Sequence, residues 1–398
     1  MLDLIGKLAC KRVKTAIGLM SGTSLDGIDA AVVRLTGTGI DAEAECIAFY
    51  TVAYDVALRD QLKALCKPGG ADAQALCSMN VHLAKRFAAA ALEAAAMAGL
   101  RPDEIDFIGS HGQTVWHQPV LEGGVPFCER STLQIGDISF IAKLTGVPTV
   151  GDFRPADMAA GGLGAPLTPY ADYLLFRHPR LGRIVQNIGG IGNCAVIPAG
   201  ADAAAVTAFD TGPGNMMLDQ AIVALSGGAM SYDKDGGWAA AGTVDAELVE
   251  QFMRHPYFSA KPPKTTGRET FGEAVARQWL ERAAAKGLDA RDTAATFTAF
   301  TAHAIARSYR DFILPRHEVA EVIVSGGGAR NPAMMGMLAK LLPELRLYTS
   351  DELGISGDAK EAIAFALLAN DTIHGVPNTL PAVTGATAAT VMGKLALP

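Results

Sequence analysis

The 398-residue chain has no Cys-x-x-Cys pair and no His-Glu-x-x-His. Its six cysteines, at positions 10, 46, 66, 77, 128 and 194, are scattered, and so are its eight histidines. That spacing excludes a structural zinc site and predicts a reducing compartment with buried thiols. Gly-x-x-x-x-Gly-Lys-Ser/Thr is absent, so the chain is not a P-loop enzyme. Gly-x-Ser-x-Gly is absent, which removes the ordinary serine hydrolases. No apolar run reaches the length of a membrane span. The start is broken by Asp3, Lys7, Lys11 and Arg12, too charged for a signal-peptide core. The expectation is a soluble, cytoplasmic protein. Charge is sparse at 19% of residues, and Lys+Arg 34 against Asp+Glu 41 leave −7. A general nucleic-acid binder needs a basic face, so that class is excluded. One small anionic ligand is not, because a pocket of backbone N–H groups suffices for it.

What is present is a large apolar fraction, 49%, on a chain long enough for two or three domains. The most informative stretch is Ala16 to Val33. Ile17 and Leu19 lead into a polar centre, Ser21-Gly-Thr-Ser-Leu-Asp-Gly27. Ile28, Ala30 and Val32 lead out at period two, as in a strand buried mainly on one face. This predicts a hairpin with Gly22, Thr23, Ser24, Asp26 and Gly27 at its tip. Glycine lets N–H groups close on an anion, hydroxyls add donors, and Asp26 suits a Mg²⁺ ion or its waters beside a phosphate. An ordinary hairpin turn uses the same residue types, so both readings stand on this stretch alone.

Further along, Cys46–Val52 reads as a strand and Ala73 to Leu100 as a long helix. Ile105 to Thr114 reads as a short strand running into a polar tip with Ser110, His111, Gln113 and Thr114. Ile138–Thr145 reads as a helix, and Val147 to Arg154 as a strand ending in Asp152 and Arg154. Asp157 to Pro166 is a glycine-rich loop near the expected domain junction. The pattern then restarts: Arg183 to Ile197 is again strand, glycine turn, strand. Gly190-x-Gly192-x-x-Ala195 formally fits a dinucleotide fingerprint, but the residues after it read as a strand where that fingerprint needs a helix. Asp210 is placed at a strand end before Gly212 and Gly214, with a helix from Met216. A basic loop, Lys261 to Phe271, includes Lys264 and Arg268, to which no role is assigned. Ser325-Gly-Gly-Gly-Ala329 lies between a strand and a helix, and Glu361 near the start of a late helix.

In that order these segments resemble the actin/Hsp70/sugar-kinase superfamily. Met20 to Gly27, Gly109-Ser-His-Gly-Gln-Thr114, Gln186-Asn-Ile-Gly-Gly190, Phe209-Asp-Thr-Gly-Pro-Gly-Asn215, Lys264-Thr-Thr-Gly-Arg268 and Ser325 to Ala329 resemble, more closely, the anhydro-N-acetylmuramic acid kinases. The resemblance runs from about residue 16 to the C-terminus. It implies an α/β fold of two ribonuclease-H-like domains with an ATP cleft between them. The expected division is 1–151 plus 375–398 against 152–374. It implies that ATP and water convert 1,6-anhydro-N-acetylmuramate to N-acetylmuramate 6-phosphate and ADP, in recycling of cell-wall sugars. Asp210 is the implied catalytic base. Gly22, Thr23, Ser24, Leu25, Asp26, Gly27, Ile28 and Asp29 are the implied ATP-phosphate segment, with Mg²⁺ held through water by Asp26. Asn187, Gly189, Gly190, Gly212, Gly214, Asn215, Gly326, Gly327 and Gly328 complete the expected nucleotide contacts. Ser110, His111, Gln113, Thr114, Arg154 and Glu361 are the expected sugar contacts. Expected partners are the sugar and ATP, with no nucleic acid and no membrane, and a homodimer is admitted.

Two departures from the family pattern fall on the sugar side. The family usually follows Asp-Phe with a run of arginines, whereas here only Arg154 is present and Ala156 takes an arginine position. Leu163 replaces a glutamine in Gly161-Gly-Leu-Gly-Ala-Pro166. A kinase of the same fold acting on another sugar, and a non-catalytic ATP-gated binding protein, are the alternatives that remain open from sequence.

Overall fold

The computed structural model describes residues 2–121 and 127–398. The chain divides into two compact units, residues 1–175 with 359–398, and residues 176–358. The expected junction at 151/152 and return at 375 thus fall inside unit 1.

Unit 1 is built on β1 (Val13–Ser21), β2 (Gly27–Thr36), β3 (Glu43–Ala53), β4 (Phe107–Gln118), β5 (Ser131–Ile135) and β6 (Thr149–Gly151). β1, β2 and β3 form an antiparallel meander; β4 joins β1 in parallel and β6 joins β4 in parallel. The C-terminal strand Lys394–Ala396 closes the edge beside β6. In unit 2, β7 (Arg183–Ile188), β8 (Ile191–Ile197) and β9 (Thr207–Pro213) form the same meander. β10 (Glu321–Ser325) joins β7 in parallel, and β11 (Arg346–Thr349) joins β10 in parallel. Both units therefore share one order: three antiparallel strands followed by parallel ones, the ribonuclease-H-like arrangement.

β2 is buried on both faces, not one: Ala31 and Val33 are enclosed along with Ala30 and Val32. The reason is a second layer. The helix Ala73–Met97 packs on one side of the sheet and the helix Lys360–His374 on the other. The second approach is backbone to backbone. A Cβ added at Gly18 would lie 1.7 Å from the Ala362 carbonyl oxygen, and one at Gly109 2.1 Å from that of Phe365. Only glycine fits these two strand positions, and the helix that they seat is what places residues 360–374 in unit 1.

Two strands also differ from expectation. β4 is long, and His111, Gly112, Gln113 and Thr114 lie within it. The register against β1 shifts here, and Gly112 takes a φ of 72°. The glycine forms a bulge, so the strand bends without ending. The strand read over Val147 to Arg154 spans only Thr149–Gly151, and Arg154 opens the helix Arg154–Ala159. The thiols differ as well: Cys194 is buried, Cys46, Cys66 and Cys128 are half-buried, and Cys10 and Cys77 are exposed. Alanine-rich helix faces bury without needing every cysteine. Among the described residues, no helix is long and apolar enough to cross a membrane.

Gly109→Ala is expected to lower the unfolding free energy by about 3 kcal/mol or more, because a methyl group would meet fixed backbone. Gly336→Ala, in a helix with open space around it, is expected to be neutral or mildly stabilising. Denaturant melts of the two variants check both.

Candidate active site

In unit 1 the β1–β2 hairpin tip is shaped from within. Ser21 Oγ lies 2.6 Å from the Gly27 carbonyl, 2.7 Å from Gln113 Oε1 and 3.0 Å from the Tyr54 hydroxyl. Gln113 Nε2 donates to the Gly22 carbonyl at 3.1 Å. Gln113 is thus a tether for the loop, fully buried. Thr23, Ser24 and Asp26 are exposed at the tip, with Ser24 Oγ donating to Asp26 at 2.8 Å. Leu25 and Ile28 point into the core, so their share in any ligand contact is backbone only. Gly27 answers to packing: a Cβ there would lie 2.4 Å from the Val52 carbonyl oxygen. Asp29 accepts from Thr51 Oγ1 at 2.7 Å.

His111 and Arg154 come together. His111 Nδ1 lies 2.9 Å from the Gly112 carbonyl, and Nε2 lies 2.9 Å from Arg154 Nη2 and 3.2 Å from Arg154 Nε. A carbonyl only accepts, so Nδ1 carries the proton and Nε2 accepts from the guanidinium. Burial, then the adjacent Arg154, push the imidazole down to about 3. Arg154 also donates to the Gly164 carbonyl at 2.7 Å. Burial lowers it to about 10, against the pull of Glu361 and Asp157, so it stays cationic at neutral pH. Glu361 is pushed up by burial and feels Lys360, Asp172, Asp29 and Arg154. Ser110 accepts from Gly112 N at 3.3 Å and, with His111, lines a cavity of about 600 Å³ that also meets Asn80, Gln134 and Asp137. Thr114 Oγ1 accepts from Gln134 at 3.2 Å, away from the His111–Arg154 pair.

In unit 2 the nucleotide candidates converge. Gly214 N and Met216 N donate to the Gly190 carbonyl, and Asn215 N to that of Gly189, at 2.7–3.1 Å. Asn215 Nδ2 reaches the Ile188 carbonyl at 3.2 Å. A Cβ at Gly326 would lie 2.6 Å from Asn187 Oδ1, and one at Gly328 2.3 Å from Ile188 Cγ2. The triple glycine therefore nests against the β7–β8 tip. Gly190 is open, with nothing nearer its Cβ position than 3.5 Å. Gly212 instead packs under Phe258, at a φ of 137°.

Asp210 lies mid-strand in β9, not at its end. Its Oδ2 accepts from Thr266 N at 2.8 Å, its N–H donates to the Lys264 carbonyl at 3.0 Å, and its own carbonyl accepts from the Tyr257 hydroxyl at 2.6 Å. Its Oδ1 has no hydrogen-bond partner among the described residues. Burial pushes the carboxyl up to about 6; Thr266 N–H and Lys264 oppose this and Glu269 adds to it. Asp210 stands out in the sequence, but the clamp that holds it does not. The one signal was the basic loop around Lys264, whose partners lie far away in the chain.

Two sheets of one topology, each with a glycine-bearing hairpin opening its meander, define the actin/Hsp70/sugar-kinase class. A profile of the anhydro-N-acetylmuramic acid kinases matches residues 14–397. The "Anhydro-N-acetylmuramic acid kinase" of Caldanaerobacter subterraneus subsp. tengcongensis is 44% identical over 396 residues, 100% of each chain. That of Bacillus cereus (strain G9842) is 43% identical over 383 residues, 96% of this chain and 98% of its own. The chain belongs to the anhydro-N-acetylmuramic acid kinase family. Among solved structures, component A of the (R)-2-hydroxyglutaryl-CoA dehydratase of Acidaminococcus fermentans covers 90% of this chain and 99% of its own. Its TM-score of 0.47 and 13% identity make it too remote to bear on function.

His111 stays neutral in the folded protein and gains a proton near its usual 6.5 when unfolded. Its folded value is depressed, so the stability it confers is present above 6.5 and is lost as pH falls toward about 3. Between pH 6.5 and 5 that loss is about 2 kcal/mol. Denaturant titrations of wild type and His111→Gln check it: the variant's stability is expected to be flatter over that interval.

Proposed function

We propose that the protein uses ATP to open 1,6-anhydro-N-acetylmuramate with water and phosphorylate the freed O6, yielding N-acetylmuramate 6-phosphate and ADP. The observation that carries this is Asp210, a carboxylate clamped by backbone with one oxygen left unshared. Water attacks the anomeric carbon and gives its proton to that oxygen. The bond from the anomeric carbon to O6 breaks, and O6 keeps the electron pair. O6 then attacks the γ-phosphorus, and ADP leaves. The ring-opening step is the inverting-glycosidase arrangement, with an oxocarbenium-like transition state. Phosphoryl transfer depends on positioning and charge neutralisation.

The remaining roles follow the geometry of each unit. In unit 1, the exposed tip residues Thr23 and Ser24, with the Thr23 hydroxyl, suit phosphate oxygens, while the Ser24 hydroxyl holds Asp26. Asp26 is a single exposed carboxylate; Mg²⁺ bound through one carboxylate and substrate phosphates fits such a site. When bound, the ion would neutralise phosphate charge. Arg154, oriented by His111, and Glu361 are assigned to the sugar. In unit 2, the open backbone at Gly190 suits phosphate, and the nested glycines 326–328 suit close approach of the nucleoside. We place the protein in the cytoplasm, where ATP is available.

Mass spectrometry of the protein with Mg-ATP and the anhydro sugar tests the reading. A product heavier by one water and one phosphoryl group is expected. Product from a sugar lacking the lactyl group, and none from the anhydro sugar, would overturn it and point to Ala156 and Leu163. Asp210→Asn is expected to cut turnover by about 10²-fold or more while ATP binding is retained. The wild-type rate is expected to fall on the acid side of about pH 6, because protonated Asp210 can no longer take the water's proton. Initial rates from pH 5 to 8 check this.

A further inference from the structure

We propose that Lys264 is a positioning residue for Asp210: its ammonium, seated in a box of aromatic rings, fixes the segment whose backbone brackets the carboxylate. The proposal rests on Asp210 as the base. Lys264 Nζ lies 4.6 Å from the centre of the Tyr257 ring, 4.7 Å from that of Phe312 and 5.9 Å from that of Phe209. It donates to the Tyr257 carbonyl at 3.2 Å. The side chain is buried, and no carboxylate among the described residues lies within ion-pair distance of it. Enclosing an ammonium with one carbonyl acceptor is costly, and a methionine would fill the same space without that cost. The charge therefore has a task beyond packing.

The task follows from where the chain goes next. From the box it returns to Asp210 at once: the Lys264 carbonyl accepts from Asp210 N, and two residues on, Thr266 N donates to Oδ2. Tyr257 is both a wall of the box and the donor to the Asp210 carbonyl. Cation and rings attract each other, so the ammonium holds the loop and the tyrosine in one arrangement. Its charge also favours the ionised carboxylate. The other groups around the pair are Glu269, which opposes ionisation of Asp210, and Cys194, Arg307 and Asp311 beside Lys264. Burial brings the ammonium itself down to about 8, so it is still charged near pH 6, where Asp210 ionises.

Losing this seat would raise the proton affinity of Asp210 twice over, by removing a cation and by loosening the Thr266 N–H. The test is the pH dependence of kcat with Mg-ATP and 1,6-anhydro-N-acetylmuramate for wild type, Lys264→Met and Lys264→Arg. In Lys264→Met the acid limb is expected to move up by about one pH unit, with KM for ATP within about twofold of wild type. Lys264→Arg keeps the charge and is expected to bring the limb back toward wild type. An unmoved limb in folded Lys264→Met would overturn the proposal. So would a loss in which KM for ATP rises and the limb stays in place. If Lys264→Met does not fold, Phe312→Leu, which thins the box but leaves the charge, carries the test. An upward shift of its limb supports the role and an unmoved limb overturns it. Unmodified protein that releases no ADP at any pH would instead remove the assigned activity, and this inference with it.

Discussion

The contact on which unit 1 depends is between two backbones. The helix Lys360–His374 reaches the sheet at Gly18 and Gly109, where no side chain fits. Close approach brings the helix start over the strands, and with it Lys360 and Glu361. It also brings the Phe365 ring to 4.8 Å from His111 and 5.6 Å from Phe153. The imidazole is thereby enclosed, which keeps it neutral, and a neutral ring can accept from Arg154 where an imidazolium would repel it. A packing choice at two glycines thus reaches, through Phe365, the protonation of a candidate site residue.

Unit 2 solves the same problem with hydroxyls. The helix Ala290–Ser308 is buried along most of its length although it carries four threonines. Thr293, Thr296 and Thr298 donate to carbonyls four residues back, so their polar atoms need nothing else. Thr301 and Ser308 are spared for the sheet and donate to the carbonyls of Gly214 and Thr211. Just beyond the helix, the Tyr309 hydroxyl donates to Gln186 Oε1, and Gln186 Nε2 donates to the Asn187 carbonyl. The helix therefore fixes both β7 and β9, the strands that carry the second hairpin tip and Asp210.

Much of this was legible along the chain because the signals are local. Period-two runs around glycine turns gave both hairpins, and the helices from Ile138 and Met216 begin where their turn residues stop. What was missed is mostly non-local. The bulge at Gly112 looks like a strand end until the partner strand is known. Burial of β2 on both faces depends on a helix some 330 residues away in sequence. Gln113 reads as a polar tip residue, yet its task is to hold the Gly22 carbonyl. Leu25 and Ile28 pack inward and Gly27 is glycine for the sake of Val52, which a linear motif does not show. Motifs show where backbone bends, and only packing shows which side chains remain free.

That distinction separates the aspartates. Asp157 accepts from Gly164 N through one oxygen and from Thr384 through the other. Asp371 accepts from Gly39 N and from the Tyr170 hydroxyl. Asp172 is paired with Lys360 at 2.7 Å. Asp157 and Asp371 thus have partners on both oxygens and Asp172 has a cation, which is what a buried structural carboxylate requires. Asp219 is the opposite case: burial alone pushes it up to about 7, and no hydrogen bond holds its carboxylate among the described residues. It has proton affinity without a hydrogen-bonded clamp. Asp210 differs from all of these: no cation is paired with it among the described residues, a backbone N–H holds one oxygen, and the other is unshared. A base needs both, because a saturated carboxylate has no site for the proton and a loose one spends most of its time pointing elsewhere. Under the proposed mechanism, the residues that supply the clamp, Tyr257, Lys264 and Thr266, belong to the chemistry as much as to the fold.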